Sequence, residues 1–202
     1  TLTDTQAIAV TVTPVTDNTP TITSNGGGAS AAVNVAENST AVTTVTAADA
    51  DLPAETLTYS ISGGADAAKF AINSSTGVLT FALAPDFETP TDVGTDNIYN
   101  VTVQVSDGTL TDTQAIAVTV TPVTDNAPTI TSNGGGVSAA INVAENTTAI
   151  TTVTATDPDL PAQTLTYSIS GGADATKFAV NASTGVLTFV SAPDFETPTD
   201  IG

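Results

Sequence analysis

Apolar side chains recur at every second position over residues 115–120, where Ile116, Val118 and Val120 alternate with Ala117 and Thr119. A period of two belongs to a strand with one buried face. Strand-like runs also occur at residues 21–23, 32–35, 41–46, 56–61, 78–81 and 98–105. About seven short strands with turns every 8–12 residues predict an all-β fold, a seven-stranded Greek-key β-sandwich. Residues 65–70 form the one helix-like turn, too short for a stable helix. Asn73-Ser-Ser-Thr-Gly77 predicts a hairpin turn. Ser24-Asn-Gly-Gly-Gly28 predicts a turn or bulge that splits an edge strand. A phosphate-cradling loop would need a lysine or a helix start after it, and neither follows. Phe70, Phe81, Phe87 and Tyr59 fall at strand spacing and are expected in the core.

The pattern runs twice. Thr1-Leu-Thr-Asp-Thr-Gln-Ala-Ile-Ala-Val10 recurs as residues 109–118, an offset of 108, and residues 1–94 align with 109–202 without a gap. That period is too long for a solenoid unit and fits a domain-sized repeat large enough to bury its own core. The expected organisation has residues 1–19 as the last strand and linker of a preceding repeat. A complete repeat follows at 20–127, then at 128–202 an incomplete one without its final strands. The window thus reads as a segment of a longer array, or as one whose missing strands another chain supplies. Between repeats lies Thr119-Val-Thr-Pro-Val-Thr-Asp-Asn-Ala-Pro128, matched earlier by residues 11–20. Pro122 and Pro128 fix φ and push the residues before them into extended conformations. The repeats are therefore expected to be joined end to end by short, stiff, Pro-containing linkers, with Asp125 and Asn126 offering oxygen atoms sideways.

Charge changes the picture next. The net charge is −19, Lys69 and Lys177 are the only cations, and cysteine, histidine and tryptophan are absent. Such a surface does not bind nucleic acid phosphates and does not favour an anionic membrane. No apolar run reaches the roughly 18 residues needed to span a bilayer, and no signal peptide is visible. Without Cys or His there is neither a nucleophilic triad of those types nor a zinc site. A glycosidase acid and base must flank a sugar ring, and Asp86 and Glu88 are two residues apart in one loop. An enzyme is not expected. Thirteen of the 21 acids sit at predicted strand ends or in linkers: Asp17, Glu37, Asp49, Asp51, Asp86, Glu88, Asp107 and Asp125, then Glu145, Asp157, Asp159, Asp194 and Glu196. In a Greek-key sandwich such loops gather at the poles, where converging carboxylates repel one another unless a cation neutralises them. Oxygen-only donors on loops favour calcium over zinc or copper.

These residues resemble the cadherin repeat, especially the bacterial cadherin-like repeats of large surface proteins. The Glu-containing first motif is matched by Ala36-Glu37-Asn38 and Ala144-Glu145-Asn146. Asp-x-Asp is matched by Asp49-Ala-Asp51 and Asp157-Pro-Asp159, and Asp-x-Glu by Asp86-Phe-Glu88 and Asp194-Phe-Glu196. The linker motif is matched in its second half, Asp125-Asn126-Ala127-Pro128, while Pro122 and Thr124 stand where an Asp and an Asn would be. The resemblance implies calcium (Ca2+) in the linkers, up to three ions in the family and one to three here. It assigns Glu37, Asp86, Glu88, Asp125, Asn126, Asp157 and Asp159 to the middle linker. Asp17, Asn18, Asp49, Asp51 and Asp107 go to the first linker, and Glu145, Asp194 and Glu196 to a following one.

The function implied is structural and adhesive: a calcium-rigidified rod segment of a secreted, cell-surface repeat protein, such as an adhesin stalk or extracellular filament. Its partners would be neighbouring repeats of the same chain and homotypic filament or adhesive contacts, with no nucleic acid and no membrane insertion in this segment. The alternative is a carbohydrate-binding module, which a cluster of Tyr on one sheet face would favour.

Overall fold

The computed structural model describes residues 1–201. The chain divides into two compact units, Thr1–Pro122 and Val123–Gly202.

In the first unit, β1 (Thr21–Ile22) pairs with β4 (Ala47–Ala48). Strands β3 (Ala41–Thr44), β7 (Val78–Phe81) and β6 (Phe70–Ile72) form a second sheet in the order β3-β7-β6. A third has the order β2-β9-β8-β5, from β2 (Ser30–Ala36), β9 (Thr111–Thr121), β8 (Ile98–Ser106) and β5 (Thr58–Gly63). The nine segments make seven strands, because β1 and β2 are halves of one strand and β3 and β4 of another. The first break is the glycine run, where Ser24–Gly26 is a single 3-10 turn. The second was not evident from sequence: the apolar run 41–46 is interrupted where the Val45 N–H turns to the Gly77 carbonyl (2.8 Å). Gly77 has φ +68, and a Cβ there would lie 2.1 Å from the Val45 oxygen, so this crossing admits only glycine. Strand β6 also escaped the periodicity, being three residues long and entered directly from the 3-10 turn Ala67–Lys69.

Alternation places the core between the sheets. Tyr99, Val101, Val103 and Val105 of β8 and Ile116, Val118 and Val120 of β9 are each at most 1% exposed. Such side chains contribute roughly 1.5–3 kcal/mol apiece on burial. They meet Ile22, Val35, Val45, Phe70, Leu79 and Phe81. Phe70 and Phe81 stack at 4.7 Å between centroids, and Tyr99 meets Phe81 edge-on at 5.1 Å. Tyr59 and Phe87 pack against this cluster from its rim.

The second unit repeats part of this plan. Strand β10 (Thr129–Ile130) pairs with β12 (Ala155–Thr156), and β11 (Ala149–Thr152), β14 (Val186–Phe189) and β13 (Phe178–Val180) form a sheet in that order. Residues 138–144 and 166–171, which match β2 and β5, are not strands. In the first unit β2 pairs with β9 and β5 with β8, and residues 128–202 contain no equivalent of β8 or β9. Residues 1–13 carry the β9 sequence yet form no strand and are exposed throughout. A strand is made by its neighbours' hydrogen bonds, and this segment has none.

Candidate metal centre

Strand ends position the acids. Strands β8 and β9 form a long antiparallel hairpin, with Ile98 opposite Thr119 at one end and Ser106 opposite Thr111 at the other. Nine residues of strand separate these ends by on the order of 30 Å. Acidic groups collect at both.

At the Ile98 end, Glu37 leaves β2 and is 4% exposed. Its backbone N–H donates to the Thr121 carbonyl (3.0 Å), and its Oε2 accepts the Phe87 N–H (2.7 Å). Asn38 follows with φ +61, a left-handed turn that carries its N–H to the Pro85 carbonyl (2.9 Å). Asp86 caps its own loop, its Oδ1 accepting the N–H groups of Glu88 (3.0 Å) and Thr89 (3.1 Å). Glu37, Asp86 and Glu88 thereby offer oxygens within 4.8 Å of one another. Sequence reasoning missed the support behind them. The Asn97 amide donates to the Phe87 carbonyl (3.0 Å), the buried Asp92 accepts from Asp96 (3.0 Å) and Asn97 (3.2 Å), and the buried Asp66 holds Val93 (2.6 Å). Asn97 stands at φ +62, a conformation Asn tolerates.

At the Ser106 end, Asp49 and Asp51 follow β4 and Asp107 follows β8, again with oxygens within 4.8 Å. Asp49 Oδ1 accepts the Asp51 N–H (2.9 Å), and Asp107 Oδ1 accepts those of Thr109 (2.6 Å) and Leu110 (2.7 Å). Asn18 brings the first linker to the group, donating its backbone N–H to Asp51 (3.2 Å) and its side-chain amide to both Asp51 and Asp17. That amide holds the Asp51 carboxyl below the usual aspartate range despite burial. Asp49 Oδ2 and Asp107 Oδ2 are left buried without a hydrogen-bond partner. Three carboxylates within 4.8 Å repel by roughly 1–3 kcal/mol per pair. Buried, ionised, unpartnered oxygens of this kind fit a hard cation with several oxygen ligands. Glu37, Asp86 and Glu88 at one end, and Asp49, Asp51 and Asp107 at the other, are therefore two donor sets suited to calcium.

The second unit repeats the first group and the Asp-x-Asp pair of the second. Glu145, Asp194 and Glu196 lie within 4.8 Å of one another, all exposed. Glu145 Oε2 accepts the Phe195 N–H (3.0 Å), as Glu37 accepts that of Phe87, and the Thr197 hydroxyl helps to lower the Asp194 pKa. Asp159 is 1% exposed and donates its backbone N–H to Asp157 Oδ1 (3.0 Å). Its Oδ1 takes the Asn126 N–H (3.0 Å) and amide (2.9 Å), and that amide also reaches Asp125 (2.8 Å). Burial alone would raise the Asp159 pKa, but these Asn126 donors outweigh it and the net shift is downward. Gln163, unforeseen from sequence, donates to Asp159 Oδ2 (2.7 Å).

Residues 31–121 and 139–200 match the model of the cadherin domain. The chain belongs to the cadherin family. It is 33% identical over 202 residues to human cadherin EGF LAG seven-pass G-type receptor 2, covering 96% of the chain and 6% of that protein. It is 34% identical over 160 residues to human protocadherin Fat 4, covering 77% and 3%. A cis-dimer structure of protocadherin gammaB7 EC3-6 superposes with a TM-score of 0.63 at 25% identity, over 92% of this chain and 46% of that one. The chain thus spans only a few hundredths of the length of these curated relatives. Cadherin domains are extracellular, non-enzymatic adhesion modules with an immunoglobulin-like sandwich fold, and they bind calcium at their linkers. No helix among the described residues is long and apolar enough to cross a membrane. The relatives give no support to the carbohydrate-binding alternative, and the tyrosines do not build a platform for it. Tyr99 is 1% exposed and Tyr59 packs on the core.

Proposed function

We propose that this chain is a rod segment of a large secreted repeat protein of the bacterial cadherin-like kind, an adhesin stalk or extracellular filament stiffened by calcium at its linkers. The observation that carries the reading is the Asp49–Asp51–Asp107 group, with Asn18 bonded to it and two buried carboxylate oxygens left without a partner. The domain partition in this proposal is 1–19, 20–127 and 128–202. The middle linker's ligands are Glu37, Asp86 and Glu88 from one repeat with Asp125, Asn126, Asp157 and Asp159 from the next. The first linker uses Asp17, Asn18, Asp49, Asp51 and Asp107, and Glu145, Asp194 and Glu196 await a following linker. When bound, calcium supplies positive charge that offsets the repulsion among these acids. The chain's own residues do the rest: Asn18 and Asn126 fasten each linker to the second Asp of the Asp-x-Asp pair, and the flanking prolines keep it extended. Without the ion the acidic joints repel and flex. Neighbouring repeats are the primary partners, and homotypic contacts between chains are the adhesive or filament-forming step.

Thermal unfolding and small-angle X-ray scattering of the chain, with millimolar calcium and then with excess chelator, test this reading. Calcium is expected to raise the melting temperature and to lengthen and narrow the particle. If neither quantity responds, the acids are solvated surface charge and the calcium mechanism is wrong.

A further inference from the structure

Over residues 1–94 and 109–202 the two copies differ at 14 positions, and one difference alone changes charge: Glu55 in the first copy is Gln163 in the second. Both side chains bond the threonine of the preceding linker, Thr16 or Thr124. In the second unit, Gln163 Nε2 donates to Asp159 Oδ2 at 2.7 Å and to the Thr124 hydroxyl at 3.2 Å. Asn126 occupies Asp159 Oδ1. Both oxygens of Asp159 are therefore held by N–H donors of the protein itself. In the first unit, Glu55 Oε1 accepts the hydroxyl of Thr16, the counterpart of Thr124. A carboxylate has no proton to donate, so Asp51 receives no amide from this position. Glu55 Oε2 is instead buried without a hydrogen-bond partner, as are Asp49 Oδ2 and Asp107 Oδ2. The first unit thus leaves three carboxylate oxygens unpartnered, on Asp49, Asp107 and Glu55. At the second pair, an amide fills the place of the third.

We propose that position 55/163 grades the cation affinity of successive repeats. Gln163 competes for the Asp159 oxygen that an ion would take, whereas Glu55 donates nothing to Asp51 and keeps a negative charge at the linker's threonine. The inference rests on the calcium reading above and adds to it that near-identical joints differ in strength through one side chain. The number and charge of oxygen ligands set calcium affinity over orders of magnitude. An amide at this position also relieves the ion-free state, because it removes one negative charge and donates to the neighbouring Asp.

The test is calcium titration calorimetry, with terbium luminescence as a second probe, on the full chain and on Glu55→Gln, Gln163→Glu and the double swap. Glu55→Gln is expected to weaken the tighter class of sites about tenfold, and Gln163→Glu to tighten the weaker class by a similar factor. Melting in chelator separates a ligand role from a purely structural one. There Glu55→Gln should melt higher than the parent and Gln163→Glu lower, the reverse of their order in calcium. If the parent binds calcium and the two swaps leave affinity unchanged, or shift it in one variant only, the grading is wrong and the calcium reading stands. If the parent binds neither calcium nor terbium, both fall.

Discussion

Asp66 offers a severe test of how the first acidic cluster is supported. It is 2% exposed, accepting the Val93 N–H on Oδ1 at 2.6 Å and the Asn100 N–H on Oδ2 at 2.8 Å. It thereby ties the 91–97 loop to β8. That loop carries Asp92, which fixes Asn97; Asn97 holds the Phe87 carbonyl, and the Phe87 N–H holds Glu37. Replacing Asp66 by Ala removes two hydrogen bonds to a charged acceptor, each worth about 1.5–3 kcal/mol, and leaves both N–H groups without that acceptor. The expected loss is about 3–5 kcal/mol, a large share of the 5–15 kcal/mol typical of a domain. Asp66→Asn keeps one acceptor and turns an NH2 toward the other N–H, so about half that loss is expected. Urea unfolding in chelator measures it: at a slope of about 1–2 kcal/mol per molar, the midpoint for the first unit should fall by about 1.5–5 M in Asp66→Ala. Amide exchange at Val93 and Asn100 should accelerate well beyond that of the β9 core. A loss below about 0.5 kcal/mol, or unchanged protection at these two amides, would refute the argument that this carboxylate fastens the loop.

Two further outcomes follow from the same geometry. Glu37→Gln keeps an acceptor for the Phe87 N–H but removes one of three mutually repelling charges. Its melting temperature in chelator should equal or exceed the parent's by a few degrees, about 1 kcal/mol, while its calcium-induced rise should fall by at least half; an undiminished rise would remove Glu37 from the ligand set. For Asp92, burial favours the neutral acid, yet the N–H groups of Asp96 and Asn97 outweigh it and hold the pKa below the usual aspartate range. A folded pKa below the unfolded one gives stability that is complete above the unfolded value and lost as pH falls through the folded one. Asp92→Asn should therefore flatten the acid limb of the stability curve in chelator and leave its shape above pH about 6 unchanged, as followed by unfolding at stepped pH.

The sheets and the gathering of the acids were legible in the sequence for different reasons. Strands β8 and β9 announce themselves because their inward positions are Val, Ile and Tyr at strict period two, and packing rewards that alternation wherever the partner sheet lies. The acids were legible because Glu37, Asp49, Asp51, Asp86, Glu88 and Asp107 all fall just past strand ends, and a sandwich delivers strand ends to its two poles. Residues 1–13 show the limit of pattern alone. They repeat the β9 sequence, but the pairing that makes β9 a strand comes from β2 and β8.

What the sequence hid is the polar framework that holds the acids in place. Gln114, fully buried in β9, donates to the carbonyls of Gly28 (2.8 Å) and Ser24 (3.3 Å) and so closes the glycine bulge from 86 and 90 residues away. Asp66 reaches Asn100 across 34 residues, and Gln163 reaches Thr124 across 39. Each satisfies groups that acquire their position only in the folded state, so no local spacing marks it. These side chains carry the burden that an ion-free cluster places on the fold: carboxylates kept charged and close need a rigid backbone behind them, or they would swing apart into solvent. The motif acids gather at the strand ends. Asp66, Asp92 and Asn97 hold the backbone behind them, and the Glu55/Gln163 position is where two nearly identical repeats part company.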